Sequence, residues 1–192
     1  MALTKVNTGG LAADSVDNTI LKLDDDYALT GAVSGATPIT HVDQWRLTTN
    51  FAGSAQPIAS NLERVDSGGQ GTIGSAMTVS SGIFTFPVTG IWLVKSLVNF
   101  SLVGESRYQT SYIYGTTNNS SYASIGQSNS NIKQSESGRT YTVNYIETIV
   151  DVTNVTNVKV RFDVTPSASS LLTEGNSTYN NTVFTFIRLG DT

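Results

Sequence analysis

The chain has 192 residues, no cysteine, a formal net charge of −4, and 14% charged residues against about 25% in an ordinary soluble domain. That length suits one hydrophobic core with a short appendage, and the missing thiols exclude disulfide frameworks and thiolate metal sites. The acidic balance offers nothing to neutralise a phosphate backbone, so nucleic acid is excluded as a partner; no apolar run approaches the about 18 residues of a membrane span, so a soluble chain without membrane insertion is expected.

Residues 1–36 differ in character from the rest. In "GGLAADSVDNTILKLDDDYALTGAVSGA", Val16, Ile20, Leu21 and Leu23 fall at helical spacing behind an Asp14 or Ser15 cap, between Gly9-Gly10 and the breakers Gly31 and Gly35. One short helix inside an extended arm is predicted. So small an apolar face cannot offset its ordering entropy alone. The segment therefore reads as an attachment arm, with Val16, Ile20, Leu21 and Leu23 as contact residues, packing on the main domain, a neighbouring copy or a larger assembly. Asp24-Asp25-Asp26 lacks calcium-loop spacing and reads as a solvated turn, so no metal site is assigned.

Residues 37–192 form the second unit, and from Pro38 the periodicity shortens to two. Trp45, Leu47 and Phe51 alternate with Gln44, Arg46 and Thr48, while Val158, Val160, Phe162 and Val164 alternate with Lys159, Arg161 and Asp163. Turn clusters at 66–71, 80–82, 115–121, 135–138 and 173–177 cut the chain into eight to ten short strands, the pattern of an all-β sandwich, jelly roll or barrel. Two segments are apolar on both faces. In 91–102, Trp92, Val94, Val98, Phe100 and Leu102 oppose Ile91, Leu93 and Leu97; in 183–189, Val183, Ile187 and Leu189 oppose Phe184 and Phe186. One face fills a core and the other must meet a partner, for which self-association is the simplest reading. Trp92, Val94, Val98, Phe100, Phe184 and Phe186 are the candidates for subunit packing, the sequence leaving open which face meets the neighbour.

No constellation for catalysis stands out. "GGQGTIG" contains Gly69, Gly71 and Gly74 at dinucleotide-loop spacing, but "SAMTVSSG" follows where a phosphate-binding helix would have to begin, so the stretch reads as a loop and no cofactor is assigned. His41 is the only histidine and stands at the junction of arm and domain without a nucleophile elbow. Glu63, Glu105, Glu136, Glu147 and Glu174 are scattered, and sequence pairs none of them for glycoside hydrolysis. Tyr108, Tyr112, Tyr114, Tyr122, Tyr141 and Tyr145 beside Asn- and Ser-rich loops suit sugar recognition, yet strand propensity alone explains them. Asn118, Asn119, Tyr122 and Asn176 are the glycan-facing candidates.

"GIFTFPVTGIWLVK" supplies Gly82, Phe84, Thr85, Pro87, Gly90 and Trp92 in the order Gly-x-Phe-Thr-x-Pro-x-x-Gly-x-Tyr/Trp, and so resembles the signature of the C1q/tumour-necrosis-factor-like jelly roll. "VTNVKVRFDV" and "STYNNTVFTFIRLGDT" resemble that family's late strands, extending the resemblance over about residues 40–192. It implies a compact homotrimer in which strands of the sheet nearest the three-fold axis pack against neighbours. The whole chain also resembles small virion proteins of tailed phages from aquatic environments, through its arm and the ending "FIRLGDT". That resemblance implies a non-enzymatic knob on the virion surface, assembled in the host cytoplasm and bound to other virion proteins. A short arm in place of a long shaft favours capsid decoration or a head fibre; the alternative is a tail-fibre or adhesin head that recognises a host surface glycan.

Overall fold

The computed structural model describes residues 39–134 and 136–192, in which the period-two segments become twelve strands and no helix. One sheet contains β1 (Val42–Leu47), β2 (Phe51–Ala52), β3 (Leu62–Arg64), β6 (Gly90–Leu102), β9 (Thr140–Val152), β11 (Leu172–Thr173) and β12 (Val183–Gly190); the other contains β4 (Thr78–Ser80), β5 (Ile83–Thr85), β7 (Ser106–Thr116), β8 (Ala123–Ile132) and β10 (Lys159–Pro166). Pairing is antiparallel throughout. The first sheet runs β3-β1-β12-β6-β9, and β11 takes over from β12 beside the far end of β6, carrying β2 on its own outer edge. The second runs β4-β5-β10-β7-β8. The architecture is an all-β jelly-roll sandwich. The helix expected in the arm, with Val16, Ile20, Leu21 and Leu23, and the Asp24–Asp26 turn lie outside the described residues.

Alternation decides which side chains meet between the sheets. β10 turns Val160, Phe162 and Val164 inward, β5 adds Phe84, and the facing sheet answers with Phe184 and Phe186 from β12 and Trp92, Val94, Val98 and Phe100 from β6. Phe162 and Phe184 stack with ring centroids 3.9 Å apart; Phe84 stands edge-on to Phe162 at 5.4 Å and lies 5.1 Å from Phe186, and Phe86 packs 5.2 Å from Trp92. Aromatic pairs of this kind add about 0.5–1.5 kcal/mol each beyond the area they bury.

This arrangement corrects the subunit-packing assignment. Trp92, Val94, Val98, Phe100, Phe184 and Phe186 are each 1% exposed or less within the single chain, so they fill its own core and have no surface left for a neighbour. The physical reason is the second sheet, whose Phe84 and Phe162, with Phe86 just beyond β5, already occupy the space against which those side chains pack.

Two further features hold the sandwich. Asn144 of β9 is buried and donates from Nδ2 to the Gln109 carbonyl of β7 at 3.0 Å and the Ser128 carbonyl of β8 at 2.9 Å, lacing the sheets together along one edge. Gly82 turns the chain into β5 at φ +79°, and a Cβ there would stand 2.5 Å from the Ile58 carbonyl, so the first glycine of the signature is required both by its conformation and by the close approach. The strands β2 and β11, two residues each, raise the number above the eight to ten expected from turn spacing.

Replacing Phe162 by alanine removes the ring that stacks on Phe184. The expected loss is about 3–5 kcal/mol of unfolding free energy, read from urea transitions at fixed protein concentration; a loss under about 1 kcal/mol would show that the stack does not organise the core.

Candidate functional site

The side chains of β6 that alternate with its core set are Ile91, Leu93, Lys95, Leu97 and Asn99, all half-buried on the outer face. Register extends them into rows across the sheet. The first runs Ile73, Val42, Ile187, Leu93 and Ile149, Ile73 joining through an isolated bridge to Val42. The second runs Gln44, Thr185, Lys95 and Glu147, and the third Arg46, Val183, Leu97 and Tyr145.

The outer rows are largely apolar and the middle one polar but self-contained. Gln44 Nε2 donates to Thr185 Oγ1 at 3.0 Å, Lys95 Nζ lies 3.8 Å from Glu147 Oε2, and the Tyr145 hydroxyl donates to the same carboxylate oxygen at 2.8 Å. Arg46 is buried flat against the sheet, its Nε and Nη2 directed at the Glu63 carboxylate at 3.4 and 3.3 Å. Tyr145, Ile149 and Ile73 remain about half exposed at 50%, 55% and 49%. Exposed apolar rows of this kind, flanking a polar row whose groups bond among themselves, mark a candidate interaction face.

Round the β9 edge the face runs into a cavity of about 400 Å³, where Ile149 and Val150 stand opposite Ala123 and Ile125 of β8 and Val158 lines the wall. Lys159, also on its lining, spends its ammonium on Thr85 Oγ1 at 2.8 Å.

The glycan-facing candidates do not converge. Asn118 Oδ1 accepts from the backbone amides of Ser120 and Ser121 at 3.0 and 2.8 Å, and Asn176 Oδ1 accepts from those of Thr178 and Tyr179 at 2.7 and 3.2 Å, so both amide oxygens hold their own loops. Asn119 adopts φ +55° and donates its backbone N–H to the Asn157 carbonyl. The loops themselves stand at opposite ends of the sandwich. The 115–121 loop adjoins the start of β6, while the Glu174 amide binds the Asn99 carbonyl, and the eight steps from Ile91 to Asn99 span about 26 Å.

Tyr122 belongs to a clamp. The Arg161 guanidinium lies 4.9 Å from the Tyr114 ring and 5.0 Å from the Tyr122 ring, and donates from Nη2 to Asp163 Oδ2 at 3.0 Å. Burial pushes the Asp163 carboxyl above the ordinary aspartate value of 3.8 against the pull of Arg161, and raises the Tyr122 phenol against the same charge. The ring and cation fasten the β7–β8 loop to the sheet.

The remaining sequence candidates are structural. Gly69, Gly71 and Gly74 lie in a loop with no helix after it. His41 packs 5.8 Å from the Trp92 ring and its Nδ1 is 3.0 Å from Thr40 Oγ1. Glu105 and Glu136 come to one open hollow on the surface. Ser101 donates to Glu174 and receives Arg139 Nη1 at 2.8 Å, while Asn50 Nδ2 reaches the other Glu174 oxygen at 2.6 Å; a serine hydroxyl with no exposed surface ties strands together and reaches no substrate. Among the described residues, no group of three His, Asp or Glu side chains converges to hold a metal. The face residues Leu93, Leu97, Ile149, Ile187 and Ile73 were not singled out as a set from sequence; the polar Lys95 and Asn99 among the outward parity of β6 are the signal that identifies that parity as the outer one.

No protein-family model matches the sequence, and neither does any curated protein. Solved structures do resemble the fold. Eiger TNF from S. frugiperda aligns over 81% of this chain and 96% of its own with a TM-score of 0.59 at 10% identity; murine APRIL aligns over 78% of this chain and 98% of its own, with TM-scores of 0.54 at pH 8.5 and 0.56 at pH 5.0 and identities of 13% and 12%. The chain therefore has a TNF-like jelly-roll fold, in line with the signature at Gly82–Trp92.

A folded-state pKa above the unfolded one means that Asp163 favours the folded chain when protonated. That contribution is complete below the ordinary aspartate value and is lost as pH rises through the raised one. The variant Asp163→Asn lacks it, so the stability of the variant relative to the unaltered chain is expected to grow between about pH 3 and pH 7, as read from urea midpoints. A difference that shrinks with rising pH would contradict the assignment.

Proposed function

We propose that the chain is a non-enzymatic homotrimeric knob of a phage virion, a capsid decoration or head-fibre protein joined to other virion proteins through residues 1–36. The observation that carries the trimer is the three-row outer face of β1, β12, β6 and β9, two mostly apolar rows about an internally satisfied polar one. In the family whose signature the sequence resembles, subunits pack through the sheet nearest the three-fold axis, and a second copy of this chain is the occupant that a charge-poor, self-neutralised face suits. The virion role is supported by the resemblance of the arm and the ending to tailed-phage surface proteins. The adhesin-head alternative draws less support, because its loop candidates stand at opposite ends of the sandwich and hold their own turns.

Sedimentation equilibrium of the full chain is expected to give three times the 20.4 kDa of one copy. Substituting Leu93→Glu and Leu97→Glu together places unpaired charge in the desolvated centre of the face, and is expected to give a folded monomer with an unchanged far-ultraviolet circular dichroism spectrum. A monomeric unaltered chain would overturn the reading. The attachment role has its own measure: a chain starting at Thr37 is expected to remain trimeric and to fail to bind particles that the full chain decorates.

A further inference from the structure

The first apolar row ends in two unlike shapes. At one edge of the sheet Ile73 projects from the glycine-rich loop with half its surface exposed, and its backbone is pinned to Val42 by two hydrogen bonds of 3.0 Å, Val42 N–H to the Ile73 carbonyl and the reverse. Gly74, at φ +68°, lets the loop lie down against Thr40 and His41, where a Cβ would meet the Thr40 carbonyl and the His41 ring. The side chain is thus a knob whose position is fixed before any contact forms. At the other edge Ile149 closes the same row and stands on the rim of the cavity of about 400 Å³ between β8 and β9.

Symmetry makes those two ends meet. A self-complementary patch closes a dimer, whereas a ring of three needs two different patches, each meeting the other on the next copy. When the outer faces turn toward a common axis, the Ile73 edge of one copy lies against the β9 edge of the next. The stretch Gln70–Ser75 has no charged side chain, so it carries no ion of its own into the cavity, where Lys159 is already bonded to Thr85 and Asp151 stands on the lining. Because the knob is already held, seating it forfeits little chain entropy.

We propose that Ile73 of one copy inserts into the Ile125/Ile149 cavity of its neighbour, a knob-in-hole contact repeated at each interface that sets the head-to-tail order of the ring. The proposal rests on the trimeric reading above and goes further, since it names the contact that joins the copies.

The absence of cysteine allows a clean test in the full chain. Ile73 and the β9 edge are separated within one copy by four strand spacings, about 19 Å, and Ile125 stands on β8 at that same far edge of the other sheet, so the pair lies well beyond the about 7 Å Cα separation that a disulfide can bridge. The double variant Ile73→Cys/Ile125→Cys can therefore form disulfides only between copies. After mild oxidation it is expected to give covalent trimers on a denaturing non-reducing gel that collapse on reduction, while each single variant runs as one chain. Ile73→Ser alone is expected to raise the concentration at which the trimer dissociates by at least about tenfold. A trimeric mass without covalent species would overturn the knob-in-hole contact and leave the trimer standing, the cavity then belonging to another occupant such as a small apolar ligand. A monomeric mass would overturn both.

Discussion

Phe162 and Phe184 lie flat against each other, one from each sheet, and the register of both sheets depends on that contact. Side chains on a strand alternate, so sliding β10 or β12 by one residue would put the ring in water and a threonine or charged residue in its place. With Phe162 and Phe184 fixed, Phe84 and Phe186 have one place to go, and β6 must turn Trp92, Val94 and Val98 inward beside them. Everything on the outer face follows by subtraction. Ile187, Leu93 and Leu97 are outside because the aromatic rings took the inside.

That dependence explains what could be read in advance and what could not. Strand periodicity at 158–164 and the two-faced character of 91–102 were legible because alternation is local. Which parity of 91–102 faces the core was only half legible: Lys95 and Asn99 mark one parity as the outer one, but Ser96 stands in the other, and the rings that pack against it, Phe84, Phe86 and Phe162, come from other parts of the chain. Trp92, Phe100, Phe184 and Phe186 carry the bulkiest side chains of their strands, and bulk is what the core selects. The strands β2 and β11 carry no sequence signal, since their pairing is imposed by the free end of β6 rather than by their own residues. The buried Arg46 and Glu174 were equally hidden, because Glu63, Asn50, Ser101 and Arg139 come to them from distant parts of the chain.

In the proposed trimer, the polar row between the two apolar rows contributes orientation more than strength. An exposed pair such as Lys95–Glu147 adds about 0–1 kcal/mol at most to the fold. A uniformly apolar face, however, allows two copies to slide over one another with little change in energy. With Gln44 bonded to Thr185, and Lys95 and Tyr145 both to Glu147, contact in register would ask none of them to find a new partner, whereas a displaced contact would press an apolar side chain onto an ion pair.

The place of β1 within the first sheet has a mechanical consequence. It is the first strand of the described residues, and it lies between two partners, paired with β12 from Val42 to Arg46 and with β3 from Trp45 to Leu47. A chain tethered from its N-terminal side feels any pull along the axis of β1. The hydrogen bonds on both edges of that strand lie across the pull and are strained together. Rupture then requires many to fail at once, whereas a strand peeled from an edge gives way one bond at a time. A domain pulled in this way resists through geometry, with no need for a larger core.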